Sequence, residues 1–251
     1  MIHKTAIINK NAKISEDVEI GPYCIVGPEV EIGKNTVLHS HVNLVGNTKI
    51  GKNNEIFPFA SIGTPPQDLK YKGEKNSLVI GDNNKFREYV NINPGTKNGG
   101  EVTKIGNNNL LMVYCHVAHD CNLSNNIVLA NNVQVGGHVT IDDNAIVGGS
   151  CAIHQFSRIG ESAMIGGMTG VLSDVIPYGL SIGNRNSLIG LNLIGLRRLK
   201  ISNENIKIMQ KAYDIIFSSE NFRSNIANLN PDIKNNEFVN KIANFINSDK
   251  K

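Results

Sequence analysis

From Ile2 onward, every sixth residue as far as Ile62 is aliphatic: Ile8, Ile14, Ile20, Val26, Ile32, Leu38, Leu44, Ile50 and Ile56 lie between them. The beat resumes at Ile80, Phe86 and Ile92, then shifts phase by one across the Gly-rich stretch Asn93 to Thr103. It runs again from Ile105 through Leu111, Val117, Leu123, Leu129, Val135, Ile141, Val147, Ile153, Ile159 and Ile165 to Val171. A period of six belongs to neither an α-helix nor a hairpin. It is the pattern of a hexapeptide β-helix, in which short strands form the sides of a prism and stacked coils share one continuous core.

The other slots of the repeat agree. Gly follows the aliphatic at Gly21, Gly27, Gly33, Gly51, Gly63, Gly81, Gly106 and Gly160; Asn sits three places after it at Asn35, Asn53, Asn83, Asn108, Asn126, Asn132 and Asn144. Both types are expected at turns because they tolerate positive φ. Two places before the aliphatic lie small residues such as Thr36, Thr48, Ala60, Ala145 and Ala163. All four cysteines, Cys24, Cys115, Cys121 and Cys151, share that slot. They therefore read as buried packing residues in a reducing compartment, not as disulfides or metal ligands.

Two stretches break the repeat, near 64–77 and 93–103, and should loop out of the prism. After Pro177 the spacing becomes helical: Ile206, Met209, Tyr213, Ile216 and Phe217 follow a Ser202/Asn203 cap, and Phe238, Ile242, Phe245 and Ile246 follow Asn230-Pro231. The expected organisation is a mainly β solenoid over 1–189 and an α-helical C-terminal domain over 190–251.

Charge is uneven. The net +3 of 251 residues resolves into about +4 for the helical tail, with ten Lys/Arg against six Asp/Glu, and about −1 for the solenoid. This is too weak for a general nucleic-acid binder. No apolar run approaches the roughly 18 residues of a membrane span and no leader pattern opens the chain, so a cytoplasmic location is expected.

With three strands per coil, residues 18 apart share a face, which makes the outward positions readable. One face carries Leu110, Val128, Ile146 and Met164; the next His116, Gln134, Ala152 and Gly170; the third Asn122, Thr140 and Arg158. The first two are too apolar or too small-featured for a comfortable monomer, and are expected to meet other subunits or a lipid-like ligand. His116, His119, His138 and His154 gather along one edge over three consecutive coils. A His near neutrality can take a proton from a hydroxyl, Asp120 could hold its tautomer, and Gly136-Gly137 offers bare N–H groups for an oxyanion. No serine-nucleophile, P-loop or dinucleotide motif is present, which favours direct attack by a substrate hydroxyl.

Several ordered motifs carry a more specific likeness: Gln67-Asp68-Leu69-Lys70-Tyr71, Leu110-Leu111-Met112, His116-Val117-Ala118-His119-Asp120-Cys121, Gly137-His138, His154-Gln155-Phe156 and Gly195-Leu196-Arg197-Arg198. Together they resemble the UDP-N-acetylglucosamine acyltransferase family over essentially the whole chain. The resemblance implies a left-handed parallel β-helix, a homotrimer with sites between subunits, and transfer of an R-3-hydroxyacyl group from acyl carrier protein to the 3-hydroxyl of UDP-N-acetylglucosamine, the first step of lipid A synthesis. It implies no cofactor and no metal. It also implies His119 as general base, Asp120 as its orienting partner and Gly137 N–H as oxyanion donor. Substrate contacts are implied at Asp68, Lys70, His116, His138, His154, Gln155, Asn192 and Arg198, and an acyl-chain ruler at Gly167. Ile194 and Leu199 depart from the family's acidic and basic residues in the nucleotide segment. Acyl-chain length and the choice between a 2-acetamido and a 2,3-diamino sugar stay open. The alternative is a γ-type carbonic anhydrase on the same solenoid, with His116, His119 and His138 on zinc.

Overall fold

The computed structural model describes residues 1–248, so the last three residues of the expected helical tail lie outside the described residues. Each six-residue unit contributes a strand of about two residues, and each strand pairs in parallel not with its sequence neighbour but with the strand one coil away. Ile7–Ile8 pairs with Ile25–Val26, and Lys13–Ile14 with Glu31–Ile32. The result is a left-handed parallel β-helix, a three-sided prism of three parallel sheets whose inward row is the period-six aliphatic set. Nearly all of that row is fully buried, from Leu38 and Ile56 to Leu129 and Ile165. Burying such a side chain contributes about 1.5–3 kcal/mol, so the repeat itself specifies the core.

The slot two places before the aliphatic also points inward, and its chemistry is more specific than smallness. Thr36 Oγ1 donates to the carbonyl of Gly51, Cys121 Sγ to that of Gly136 and Cys151 Sγ to that of Gly166, at 3.1, 3.1 and 3.0 Å. These thiols and hydroxyls satisfy turn carbonyls of the next coil that the ladders leave over. All four cysteines are free and buried, and burial pushes the Cys115 thiol up to about 11 and the Cys121 thiol to about 12. Asn54, Asn84 and Asn109 occupy the same slot and form a buried ladder: each Oδ1 accepts the backbone N–H of the residue one coil on, at 2.7–2.9 Å.

The turns correct one expectation. The Asn positions do take positive φ, near 60°, and so do other residues that stand third after the aliphatic, including Tyr89, Tyr114, Asp120 and His138. The glycines directly after the aliphatic do not, apart from Gly63. They are glycine because coils stack closely there: a Cβ on Gly33 would sit 2.6 Å from the carbonyl of Gly51, and one on Gly21 2.8 Å from His39. Close approach, not turn handedness, selects them.

One corner carries a stack of rings, Tyr23, His41, Phe59, Tyr89 and Tyr114, with centroids 4.7–5.1 Å apart. The two insertions leave from another corner. Ile62 pairs with Ile92, and Ile92 with Val117, although the chain between them is longer than one coil. Both loops therefore emerge where the histidine edge lies.

The last parallel strand, Gly179–Ile182, turns back into the antiparallel Ser187–Leu191, which ends the ladder. Five helices follow among the described residues: α1 (Leu193–Arg198), α2 (Asn203–Ile216), α3 (Phe222–Ala227), α4 (Pro231–Lys234) and α5 (Glu237–Asn247). Ser202 caps α2 through Asn205 N–H and Asn230 caps α4 with Pro231 at its first position, as the sequence predicts. The segment after Asn230-Pro231 is two helices, because Asn236 starts a second cap on Phe238 and Val239. Met209, Ala212, Ile216 and Ile242 form the centre of this second core. Among the described residues no helix is long and apolar enough to cross a membrane.

Candidate active site

Asp120 and His138 both occupy the left-handed turn position of their coils, with φ of 59° and 60°, and Phe156 repeats it one coil further at 64°. This stacks the three side chains at one corner. His138 and Phe156 lie face to face at 4.4 Å, and the His119 ring meets His138 edge-on at 5.1 Å. The backbone locks the arrangement, since His138 N–H donates to His119 O and Phe156 N–H to Gly137 O, each at 3.0 Å.

Within it, His119 Nδ1 lies 2.8 Å from Asp120 Oδ2. A carboxylate only accepts, so Nδ1 carries the proton and Nε2 is left with its lone pair. The Asp120 side chain is fully buried, with exposure 0%, against 13% for that of His119 and 21% for that of His138. A buried carboxylate needs donors, and the second insertion supplies them: Thr96 N–H donates to Oδ1 at 2.8 Å and Thr96 Oγ1 to Oδ2 at 2.6 Å.

Gly137 packs directly on the His119 ring. A Cβ there would lie 2.6 Å from His119 Cε1 and 2.8 Å from Nε2, so only glycine lets the ring and the backbone N–H stand side by side. Among the described residues nothing accepts from that N–H. The arrangement can take a proton at Nε2 and offer a donor to a negative oxygen next to it.

A cavity of about 830 Å³ opens over this corner, lined by His119, Asp120, His138, Thr140, Gln155 and Phe156 from the solenoid and by Gln67 to Lys70 and Thr96, Asn98 and Gly99 from the two loops. Asp68, Lys70, His138 and Gln155 thus line one cavity with His119. Other expected residues do not. His116 is partly buried with Nδ1 2.7 Å from Asn91 Oδ1, and burial, reinforced by the nearby His119, holds it below the ordinary histidine range. Burial likewise lowers His138, opposed by Asp120. His154 is exposed and its ring contacts the Gln155 carbonyl. Asn192 caps α1, accepting from Gly195 N–H at 3.0 Å and donating to Ser162 O. Arg198 and Ile194 are exposed on that helix, and Leu199 follows it, also exposed. His116, His154, Asn192 and Arg198 do not line the cavity of this chain. Gly167 stands apart on the next corner; its φ is ordinary and a Cβ would meet nothing closer than Gly149 O at 3.4 Å.

The histidine set of the zinc alternative, a site between subunits, does not assemble within this chain. Among the described residues the group that comes within 4.8 Å is His119, Asp120 and His138, without His116, and both Asp120 oxygens already accept from Thr96. Sequence reasoning did not find Thr96, Gly99 or Asn91, since two stand in a loop outside the repeat and the third is an outward Asn among many. Phe156 could have been found from its spacing of 18 from His138.

A family model described as "Udp N-acetylglucosamine O-acyltransferase; Domain 2" matches residues 174–251, and one described as "Bacterial transferase hexapeptide (six repeats)" matches 1–34. An acyl-(acyl-carrier-protein)–UDP-N-acetylglucosamine O-acyltransferase from Aliarcobacter butzleri is 48% identical over 245 residues, covering 98% of this chain and 94% of its own. The crystal structure of the UDP-N-acetylglucosamine O-acyltransferase from Moraxella catarrhalis is 43% identical, covers 98% of this chain and 96% of its own, and superposes with a TM-score of 0.94. That of the UDP-N-acetylglucosamine acyltransferase from Bacteroides fragilis is 41% identical, covers 100% and 98%, and gives 0.95. With identity of this order along nearly its full length, the chain belongs to the UDP-N-acetylglucosamine O-acyltransferase family.

Proposed function

We propose that the protein transfers an R-3-hydroxyacyl group from acyl carrier protein to the 3-hydroxyl of UDP-N-acetylglucosamine, the first step of lipid A biosynthesis. The observation that carries this reading is the His119–Asp120 pair with the unoccupied Gly137 N–H beside it, at the floor of a cavity open to substrate. His119 Nε2 removes the proton of the sugar hydroxyl as its oxygen attacks the thioester carbonyl. The tetrahedral oxyanion faces Gly137 N–H. Its collapse expels the carrier's thiolate, which takes the proton back from His119. Asp120 keeps Nδ1 protonated throughout and stabilises the imidazolium that forms.

Asp68, Lys70, His138 and Gln155 then bind the acceptor around the base. His116, His154, Asn192 and Arg198 complete the substrate site only if a neighbouring copy brings them to it, which fits a homotrimer whose apolar face of Leu110, Val128, Ile146 and Met164 meets a partner or the acyl chain. The protein works in the cytoplasm, where acyl carrier protein and nucleotide sugars occur together.

The test is direct. His119→Ala should lose about two to four decades of turnover, the usual general-base contribution, while folding persists. Turnover near that of the wild type would remove His119 from this role. Incubation with a panel of carrier-protein thioesters and UDP-sugars, followed by product mass, identifies acyl length and decides between a 2-acetamido and a 2,3-diamino acceptor.

A further inference from the structure

The second insertion carries more than a surface loop would. It is anchored at its start, where Asn93 Nδ2 donates to Thr64 O at 3.0 Å and so ties it to the first insertion. It is tightened at its tip, where Thr96 O accepts from Gly99 N–H and Glu101 N–H at 3.0 and 2.9 Å. From this frame Thr96 grips both oxygens of Asp120, N–H to Oδ1 and hydroxyl to Oδ2, while Thr103 Oγ1 accepts from Asp120 N–H at 2.8 Å. Gly99 closes the space behind: a Cβ there would fall on the Asp120 carboxylate. Two donors on two oxygens fix the carboxylate plane. Without them only the contact with His119 itself would hold the carboxylate against rotation.

We propose that Thr96 is a positioning residue for acyl transfer, which clamps the Asp120 carboxylate so that Asp120 in turn aims His119 Nε2 at the sugar hydroxyl. The inference rests on the reading of His119 as base. Thr96 lines the cavity, yet its polar groups are directed at Asp120, so its effect belongs to the chemical step and not to substrate affinity.

The test uses the full-length enzyme with carrier-protein thioester and UDP-N-acetylglucosamine. Thr96→Val removes the hydroxyl donor and should lower kcat about ten- to a hundredfold, the scale of a misaimed catalytic group, with both KM values within about twofold. Thr96→Ser keeps the donor and should restore most of the loss. Because Thr96 acts through His119, Thr96→Val should cost nothing further in a His119→Ala background. Gly99→Ala, whose methyl displaces the same carboxylate, should reproduce the loss of kcat and the same non-additivity, and it decides the matter if the valine variant does not fold. Normal turnover in Thr96→Val and Gly99→Ala beside an impaired His119→Ala would overturn the clamp and leave the base in place. Normal turnover in His119→Ala would overturn both. Equal impairment by Val and Ser, a loss confined to KM, or equal losses with and without His119 would reduce Thr96 to an ordinary loop residue.

Discussion

At the scale of single residues, the corner proposed to be catalytic is built from conformations that most side chains avoid. Asp120 and His138 sit at positive φ because they occupy a turn slot that coil after coil fills in this way, with Asn or an aromatic residue at most of the other positions. The solenoid, not the site, imposes the handedness, and the site uses the direction in which such a residue projects. Burial matters as much. His116 titrates below its ordinary value mainly through desolvation, opposed by the Asn91 contact. Between that lowered value and about 6.5 the unfolded chain holds a proton that the folded ring does not, so stability should fall as pH drops through this window and be complete above it. His116→Gln should therefore flatten the decline in Tm on the acid side, with His138, lowered for the same reason, accounting for part of what is left. Thermal melts across pH 5 to 8, at roughly half-unit steps spanning the ordinary histidine range, check this; a slope unchanged by the substitution would place the proton elsewhere.

At the scale of elements, legibility follows regularity. Strands were readable because every inward aliphatic repeats the same constraint, so one polar residue in the row would have argued against the fold. The Asn corner was readable for the same reason, whereas the glycines were assigned the wrong cause: sequence shows the residue but not the neighbouring coil pressing on it. The loops were located only by the interruption of the period, and nothing in Thr96 or Gly99 signals that they reach Asp120. Helices α1 and α3, six residues each, are too short to show a hydrophobic period. On α2, Ile206, Met209, Ala212 and Ile216 face the core, which leaves Lys207 and Lys211 one turn apart on its exposed side. An acidic carrier protein should be steered by this surface together with Arg197, Arg198 and Lys200. Reversing Lys207 and Lys211 to Glu should raise the KM for the carrier protein, more so at low salt, and leave that for the UDP-sugar nearly unchanged. Equal effects on both substrates, or on neither, would count against the patch.

For the whole molecule, what matters is that the stack has a fixed pitch. Adjacent coils stand about 4.8 Å apart, the length of roughly four methylenes in an extended chain. Gly167 and Gly149 occupy equivalent corner positions one coil apart, and at neither would a side chain collide with backbone closer than 3.3 Å. Neither glycine has a positive φ, and a Cβ at Gly167 meets backbone only at 3.4 Å, while one at Gly149 asks Asn131 to shift slightly. An unblocked apolar groove gains about 0.8 kcal/mol for each further buried methylene, roughly fourfold in preference. Wild type should therefore favour long 3-hydroxyacyl chains and Gly167→Met shorter ones, as kcat/KM over a chain-length series would show; an unchanged profile would remove Gly167 from the groove. Gly149→Met should move the cut-off by a further four or so carbons, not by one or two. Selectivity read off such a scaffold is then digital: like a vernier whose marks are coils, it can be reset only in whole notches.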